Sequence, residues 1–181
     1  KLLPPLLEEM SMADAVVTLS ELAAFLSRAN LAEKIRRELA SGDARKLPFR
    51  MERLDARDSI FEAWRPLGFL VHIAPTNAVN VPFLSVVEGL LTGNVNFLKT
   101  GGGDSIYPQL CLEALIRQDP SIAPYIYAAR ISSKRQDLLR LILAQSDGVA
   151  VWGNEEALDG IRAIAPAHAD EDLADGRRVL G

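Results

Sequence analysis

The sequence lacks the residues from which covalent and metal-centred frameworks are built. Its 181 residues include one cysteine, Cys111, and two histidines. One cysteine excludes an intramolecular disulfide framework and a multi-cysteine metal site, and two histidines are few for any metal centre. We therefore expect no metal site. We also expect a cytoplasmic protein, because a chain without disulfides suits a reducing compartment.

Long apolar runs and a strong excess of one charge are also lacking. No apolar run approaches the roughly 20 residues that cross a bilayer. The start, Lys1 to Met10, is interrupted by prolines and contains acidic residues, unlike a signal peptide. The 24 acidic and 20 basic residues give a net charge of −4, which offers no broad attraction for a nucleic acid or an anionic membrane. We expect no membrane span, no nucleic-acid partner, and small molecules or protein as ligands.

Two common nucleotide-binding fingerprints are missing as well. The chain contains neither G-x-G-x-x-G after a first strand nor G-x-x-x-x-G-K-[ST]. Those glycine patterns let a backbone turn approach a phosphate closely. Their absence disfavours a plain Rossmann dehydrogenase and a P-loop enzyme, so a site must be sought in other loops.

The first part of the chain carries helical patterns. Ser11 and Asp14 form a capping-box-like start, apolar residues then recur at helical spacing, and Ser41-Gly42 provides a glycine stop. Between Gly42 and Arg57 charges accumulate without periodicity, as in a surface connection. We therefore predict an N-terminal helical segment at residues 1–50 and a main domain at residues 51–181.

Over the rest of the chain, short apolar runs bounded by turn residues alternate with helical patterns. The strand candidates are residues 69–73, 95–98, 126–131 and 149–152, with one more at 177–180; the helix candidates are residues 81–91, a segment opened by Asp104 or Ser105, and a segment opened by Ser132 or Ser133. This order predicts an α/β fold with an open, mostly parallel, Rossmann-like sheet and helices on both faces. Ligands of such sheets bind at the carboxyl ends of the strands. Here those ends are residues 74–77, 99–103, 131–133 and 153–154.

Four motifs occur in a fixed order at the starts and ends of these strands. They are Pro66-x-Gly68, His72-Ile73-Ala74-Pro75-Thr76-Asn77, Gly93-Asn94 followed by Lys99, and Trp152-Gly153-Asn154, with 22 residues from Asn77 to Lys99. In this order they resemble the aldehyde dehydrogenase superfamily. The Pro82-x-x-Ser85 stretch and the run from Gly89 to Asn94 resemble bacterial long-chain acyl-CoA reductases, including the fatty acid reductase of bioluminescence. The similarity covers roughly residues 60–165.

The resemblance implies reduction of a fatty acyl thioester, carried by acyl-CoA or by an acyl-protein, to an aldehyde. A cysteine thiolate attacks the thioester, an acyl-enzyme forms, and hydride from NADPH releases the aldehyde. The oxyanion formed on the way needs fixed donors. Asn77, by its position in the P-x-N loop, matches the residue that donates its side-chain amide; the alternative is that Asn77 caps a turn. We also expect a homo-oligomer.

The cofactor implied by the resemblance is NADPH. Lys99 matches the family's lysine that contacts the adenosine ribose, where an ammonium can donate to hydroxyls or to a 2′-phosphate; the alternative is an ordinary solvated lysine. Many NAD-using relatives carry a glutamate three residues further on, whereas Gly102 stands there in this chain. Loss of that carboxylate relieves repulsion of a 2′-phosphate. Gly101, Gly102 and Gly103 either let the ribose approach the backbone or form a flexible turn.

The other implied cofactor contacts lie at the ends of the first and fourth strands. They are Ile73, Ala74, Pro75, Thr76, Trp152, Gly153 and Asn154. Gly153-Asn154 stands where relatives have a Gly-Ser at a helix start that faces the cofactor diphosphate. Glu155 and Glu156 follow, however, and would repel a phosphate. Trp152 is either a packing residue or a neighbour of the adenine.

The sequence holds no evident nucleophile. Cys111 lies among leucines in a helical pattern, so we interpret it as a buried small hydrophobic residue, and no cysteine follows Gly153. We therefore expect residues 51–181 to be the nucleotide-binding portion of a longer enzyme, inactive alone. Two alternatives stay open: a non-catalytic nucleotide-binding or scaffolding domain, and a fragment of an NAD-dependent aldehyde dehydrogenase. His72, within the first strand, is expected to be a core residue.

Overall fold

The computed structural model describes residues 2–8, 10–39, 51–53, 61–63, 65–74, 79–101, 103, 105–165 and 178–180. Contacts divide the chain into two compact units, Met10–Pro66 on one hand and Lys1–Glu9 with Leu67–Gly181 on the other. The short helix α1 (Leu3–Leu7) belongs to the second, larger unit. The boundary was predicted between residues 50 and 51. It falls at the end of the stretch 40–50, which lies outside the described residues.

The smaller unit contains the helices α2 (Met12–Phe25) and α3 (Arg28–Glu38) and an antiparallel pair of short strands, β1 (Met51–Arg53) and β2 (Phe61–Ala63). Ser11 begins α2, because its Oγ accepts the N–H of Asp14 at 3.2 Å and donates to the Asp14 carboxylate at 2.6 Å. The predicted capping start is thereby confirmed. The strand pair was not predicted, since such short strands show no period.

No single helix among the described residues is long and apolar enough to span a membrane. Only α2 and α3 together, with a bend of 59° between them, reach that length and composition.

The larger unit is built on one parallel sheet. Its strands are β3 (Phe69–Ile73), β4 (Val95–Thr100), β5 (Ile126–Arg130), β6 (Gly148–Val151) and β7 (Arg178–Leu180), and every neighbouring pair is parallel. The spatial order is β5-β4-β3-β6-β7. Counted along the chain from β3, this is the 3-2-1-4-5 order of the Rossmann sheet. The predicted parallel, Rossmann-like sheet is confirmed, and its topological switch point lies between β3 and β6.

Four helices alternate with these strands: α4 (Val81–Leu91), α5 (Tyr107–Gln118), α6 (Gln136–Gln145) and α7 (Glu155–Arg162). As predicted, α4 has Pro82 in its first turn and ends before Gly93, whose φ of 82° suits a glycine stop. The prediction that α6 opens at Ser132 or Ser133 was wrong. The carbonyl of Ser132 accepts the N–H of Arg135 at 2.9 Å in a turn, and the helix begins only at Gln136.

One face of the sheet, which we call the apolar face, is covered by α6 and α7. Val71 and Ile73 of β3 and Val149 and Val151 of β6 are buried there against Leu143 of α6. The partly buried side chains around them are apolar too: Phe69, Phe97, Ile142, Leu158, Ile161 and Ile164. Burial of apolar surface, worth about 25 cal/mol per Å², therefore holds this face together.

The opposite face, which we call the polar face, is covered by α4 and α5. Successive side chains of a strand alternate between the two faces, so His72 lies here, between Val71 and Ile73 of the other face. Asn96 of β4 is fully buried beside it, and His72 is only 2% exposed. A Cβ on Gly89 of α4 would lie 1.8 Å from Asn96 Oδ1. The close packing of α4 on this face therefore requires glycine at position 89.

Candidate functional site

A cleft of about 800 Å³ opens at the carboxyl ends of β3, β4 and β6. It lies at the topological switch point, where sheets of this order bind their ligands. Its volume falls within the range of roughly 300–1,000 Å³ that is typical of small-molecule sites. Most of the remaining wall comes from the two helices of the apolar face, α6 and α7, with Val81 at the start of α4 and Ser133 before α6. The cleft is thus both in the expected place and of a size to hold a small molecule.

Six of the residues predicted to bind the cofactor line this cleft: Ile73, Ala74, Lys99, Trp152, Gly153 and Asn154. The fold therefore brings together three strand ends that are far apart in the sequence. Gly101 follows β4 and is half-buried. Pro75, Thr76, Asn77 and Gly102 lie outside the described residues. Their roles, including that of Asn77 at the oxyanion, stay predictions.

The sequence did not predict a ligand contact for the lining residues from the helices, and it named the third loop only as a segment at the expected site. They are Val81, Ser133, Gln136, Leu139, Ala157, Gly160, Ile161 and Ile164. Some signals were present, because Ser133 ends a loop that was expected at the site. On α7, Ala157, Gly160 and Ile161 are spaced so that they share one side of a helix. Which side faces a ligand depends on how the helix packs, and a single sequence does not specify this.

Lys99 is the only charged residue among the described residues that line the cleft. The sheet fixes its backbone, since Lys99 is in register with Ile73 of β3 and Ala129 of β5. Its side chain is half-buried, and many of its neighbours in the cleft are apolar. Partial exclusion of water strengthens the attraction between an ammonium and an anion. The cleft therefore favours a ligand that combines apolar or planar parts with negative charge.

Asn154 has a local structural role at the start of α7. Its Oδ1 accepts the N–H of Ala157 at 3.0 Å, which makes it the N-cap of the helix. Glu155 and Glu156 follow in the first turn and are exposed. These carboxylates interact favourably with the helix dipole but oppose an anion at the same end. The helix start therefore adds little attraction for a diphosphate, and Lys99 supplies the positive charge.

A chain of hydrogen bonds runs from the cleft into the buried polar face. Trp152 Nε1 lies 3.2 Å from Ser85 Oγ, which lies 2.7 Å from His72 Nδ1. His72 Nε2 lies 2.9 Å from Asn96 Oδ1, and the Asn96 amide donates to the carbonyl of Asn94 at 2.7 Å. His72 was expected to be a core residue, and its burial confirms this. The partners were missed because they lie 13 and 24 residues away in the sequence.

The hydrogen-bond partners determine which atom donates and which accepts in each of these hydrogen bonds. Asn96 donates through its nitrogen, so its oxygen is the acceptor and His72 Nε2 carries the proton. Burial lowers the pKa of His72, although the hydrogen bond to Asn96 partly offsets this. His72 is therefore neutral, and its Nδ1 accepts the hydroxyl proton of Ser85. The oxygen of Ser85 in turn accepts the indole N–H of Trp152. Each polar group in this series of hydrogen bonds therefore has a partner.

Cys111 is not placed to act as a nucleophile. It is 3% exposed within α5, and burial raises the pKa of its thiol to about 11. A thiol with that pKa is protonated near neutral pH, and the thiolate is the reactive form. The interpretation of Cys111 as a buried hydrophobic residue is confirmed. Among the described residues, no group of three His, Cys, Asp or Glu side chains could hold a metal ion.

Comparison with known families agrees with the motifs and the fold. The profile of the acyl-CoA reductase (LuxC) family matches residues 4–179. No curated protein matches the chain. The family match includes all four sequence motifs and every described residue that lines the cleft. Because it extends over nearly all of the 181 residues, the chain belongs to the acyl-CoA reductase (LuxC) family.

Proposed function

We propose that this chain supplies the cofactor site of an acyl-CoA reductase and that the cofactor is NADPH. Membership of the family supports a reductase that acts on an acyl thioester. NADPH, when bound, supplies the hydride for such a reduction. The contribution of the described residues is to bind and orient the nucleotide at the switch point of the sheet.

The observation that carries this proposal is the position of Lys99. Its ammonium is the only charge among the described cleft residues, and it stands at the end of a central strand. An ammonium there donates to ribose hydroxyls or to a 2′-phosphate. Apolar residues of the cleft, such as Ile73 and Leu139, suit the planar parts of a nucleotide. The glycine at position 102 removes the carboxylate that would repel a 2′-phosphate, which supports NADPH over NADH.

The acyl-transfer step needs groups that the described residues of this cleft do not provide. Cys111 is buried and protonated, so we propose that the thiolate nucleophile lies outside these 181 residues. We assign Asn77 the donation of its side-chain amide to the oxyanion that forms when the thiolate attacks the thioester. On this proposal the chain binds NADPH but does not reduce a thioester alone.

Isothermal titration of NADPH, NADP⁺ and NADH into the whole chain tests the proposal. We expect NADPH to bind more tightly than NADH. Lys99→Ala should raise the Kd for NADPH about tenfold, because a hydrogen bond to a charged group contributes about 1.5 kcal/mol.

Arg117→Ala is the matched control for the lost charge. Arg117 is an exposed cation on α5, paired with Glu113 at 3.5 Å, and it does not line the cleft. Its replacement should leave the Kd unchanged. Absence of nucleotide binding, or equal affinity of the Lys99→Ala variant and the wild type, would overturn the proposal.

A further inference from the structure

Trp152 connects the polar face of the sheet with the cleft. Its backbone N–H donates to the carbonyl of Ile73 at 2.9 Å, which continues the pairing of β6 with β3. The residue lines the cleft, while its indole N–H donates to Ser85 Oγ on α4. Trp152 is 46% exposed. The ring is thus held through its nitrogen and remains partly open to a ligand.

Ser85 is itself held in one orientation. Its hydroxyl donates to His72 Nδ1, so a lone pair of Ser85 Oγ faces the indole N–H. His72 in turn cannot rotate without breaking its bond to Asn96 Oδ1. Ser85 is 5% exposed and Asn96 is fully buried, so water cannot readily replace these partners. The orientation of the indole is therefore determined by residues that do not themselves line the cleft.

A hydrolytic role for Ser85 and His72 does not fit this geometry. A nucleophilic serine must be reached by its substrate, whereas Ser85 is buried and already accepts the indole N–H. In a serine hydrolase the third group is a carboxylate that stabilises the imidazolium. Here that position is taken by the neutral amide of Asn96. The chain of hydrogen bonds is suited to holding a side chain in place and not to proton transfer.

We infer that Ser85, His72 and Asn96 are positioning residues that hold the Trp152 indole as a fixed wall of the cleft, against which a planar ring of the nucleotide packs. This inference rests on the proposed nucleotide site. Aromatic rings attract other planar groups beyond simple burial of area. A ring that is already oriented loses little conformational freedom on binding, so the ligand binds more tightly.

The first part of the test observes Trp152 without any nucleotide. The chain has two tryptophans, so a proton–nitrogen correlation spectrum shows two indole N–H signals, and Trp152→Phe identifies the one from Trp152. Ser85→Ala should shift the Trp152 signal and speed its exchange with water. Ser146→Ala is the matched control, because Ser146 is a buried serine whose hydroxyl donates to the Leu143 carbonyl at 2.8 Å. It should leave the Trp152 signal unchanged.

The second part measures NADPH binding by the same variants. Ser85→Ala should raise the Kd about fivefold, because the freed indole must then be ordered on binding, at a cost of about 1 kcal/mol. Ser146→Ala should leave the Kd unchanged. Trp152→Phe removes the same hydrogen bond from the other partner at a half-exposed position that tolerates the change. The double variant should therefore bind no more weakly than Trp152→Phe alone.

The outcomes separate this inference from the proposed function. If NADPH binds but the Trp152 signal does not move in Ser85→Ala, the positioning role is wrong and the nucleotide site stands. Additive effects of Ser85→Ala and Trp152→Phe on the Kd would also overturn it, because Ser85 would then act independently of the indole. If the signal moves but the wild type binds no nucleotide, the proposed function fails, while the result still supports the orientation of the Trp152 indole by Ser85.

Discussion

The apolar face and the polar face of the sheet are built on the same strands, since neighbouring residues of β3 point to opposite sides. Val71 and Ile73 pack against α6 on one side, and His72 bonds to Ser85 of α4 on the other. Apolar contacts have no required direction, so α6 and α7 can leave a cleft between them without breaking specific bonds. Hydrogen bonds need fixed directions. The helices of the apolar face therefore shape the cleft, and the hydrogen bonds of the polar face orient Trp152 at the edge of the cleft.

The two faces also differ in what a substitution costs. On the apolar face the cost follows the volume and polarity of the altered side chain. On the polar face it follows the number of buried partners that lose a hydrogen bond. Position 89 is especially sensitive, because its missing Cβ makes room for the Asn96 amide.

The largest expected effect comes from Gly89→Ala on the polar face. The added Cβ would meet Asn96 Oδ1 at 1.8 Å and lie 3.3 Å from His72 Nε2. We expect the free energy of unfolding to fall by about 3 kcal/mol, through overpacking and broken buried hydrogen bonds. Urea unfolding of the whole chain measures this.

Gly160→Ala is its matched control, because Gly160 is also helical and a Cβ there would meet nothing within 4 Å. That variant should gain up to about 1 kcal/mol from better helix propensity. A stabilising effect of Gly89→Ala would contradict the described packing of α4.

The next largest effect comes from a polar atom on the apolar face. Val71→Thr keeps the shape of the side chain but buries a hydroxyl among apolar groups, where it finds no good partner. We expect a loss of about 2 kcal/mol in the free energy of unfolding. Val17→Thr on α2, at a site 55% exposed, should change it by less than about 0.5 kcal/mol. Equal effects of the two substitutions would show that Val71 is not in a dry core.

The third effect is a pH dependence that originates on the polar face. Burial lowers the pKa of His72 in the folded chain, while in the unfolded chain it is about 6.5. Between these values the unfolded chain binds a proton that the folded chain does not, so stability falls as the pH falls below about 6.5 and levels off below the folded pKa. The slope is at most about 1.4 kcal/mol per pH unit.

Unfolding measured from pH 7.5 down to pH 5.5 checks this slope. His72→Gln should flatten the curve over this interval, since carboxylates titrate mostly at lower pH. The same slope in wild type and variant would mean that folding does not change the pKa of His72, which would contradict its burial as a neutral imidazole.

The smallest effect concerns the cap of α7. Asn154→Ala should cost about 1 kcal/mol of unfolding free energy, because the N–H of Ala157 loses its acceptor. Asn154→Ser should restore most of this loss, since serine caps helices as well as asparagine does. If both variants also weaken NADPH binding about equally, Asn154 contacts the nucleotide directly in addition to capping the helix.

Much of the fold of the larger unit could be predicted because most of its strands and helices have a local signal. The run at residues 69–73 is apolar apart from His72 because the strand is buried on both faces. Gly93 marks the end of α4 through its left-handed backbone. The start of α6 was missed, because Ser132 forms a turn that resembles a helix cap in the sequence. The 3₁₀ helix Pro120–Tyr125 was also missed, since Pro124 within it interrupts any helical pattern.

The candidate site was predictable only in part. Residues at strand ends, such as Lys99 and Trp152, follow from the rule that parallel sheets bind ligands at their carboxyl edge, and both line the cleft. The walls from α6 and α7 depend on how those helices pack, and the bonds of His72 join residues distant in the chain. Such contacts arise from tertiary packing and carry no local pattern beyond polar residues, such as Asn96, within otherwise apolar strands.

The most direct test of the central claim, that the cleft at the switch point binds NADPH, is hydrogen–deuterium exchange of the whole chain with and without saturating NADPH. We expect slower exchange at the ends of β3, β4 and β6 and at the starts of α6 and α7, which surround Lys99, and no change in α2. Protection confined to other segments, or none at all under conditions where NADPH binds, would contradict the assignment of this cleft.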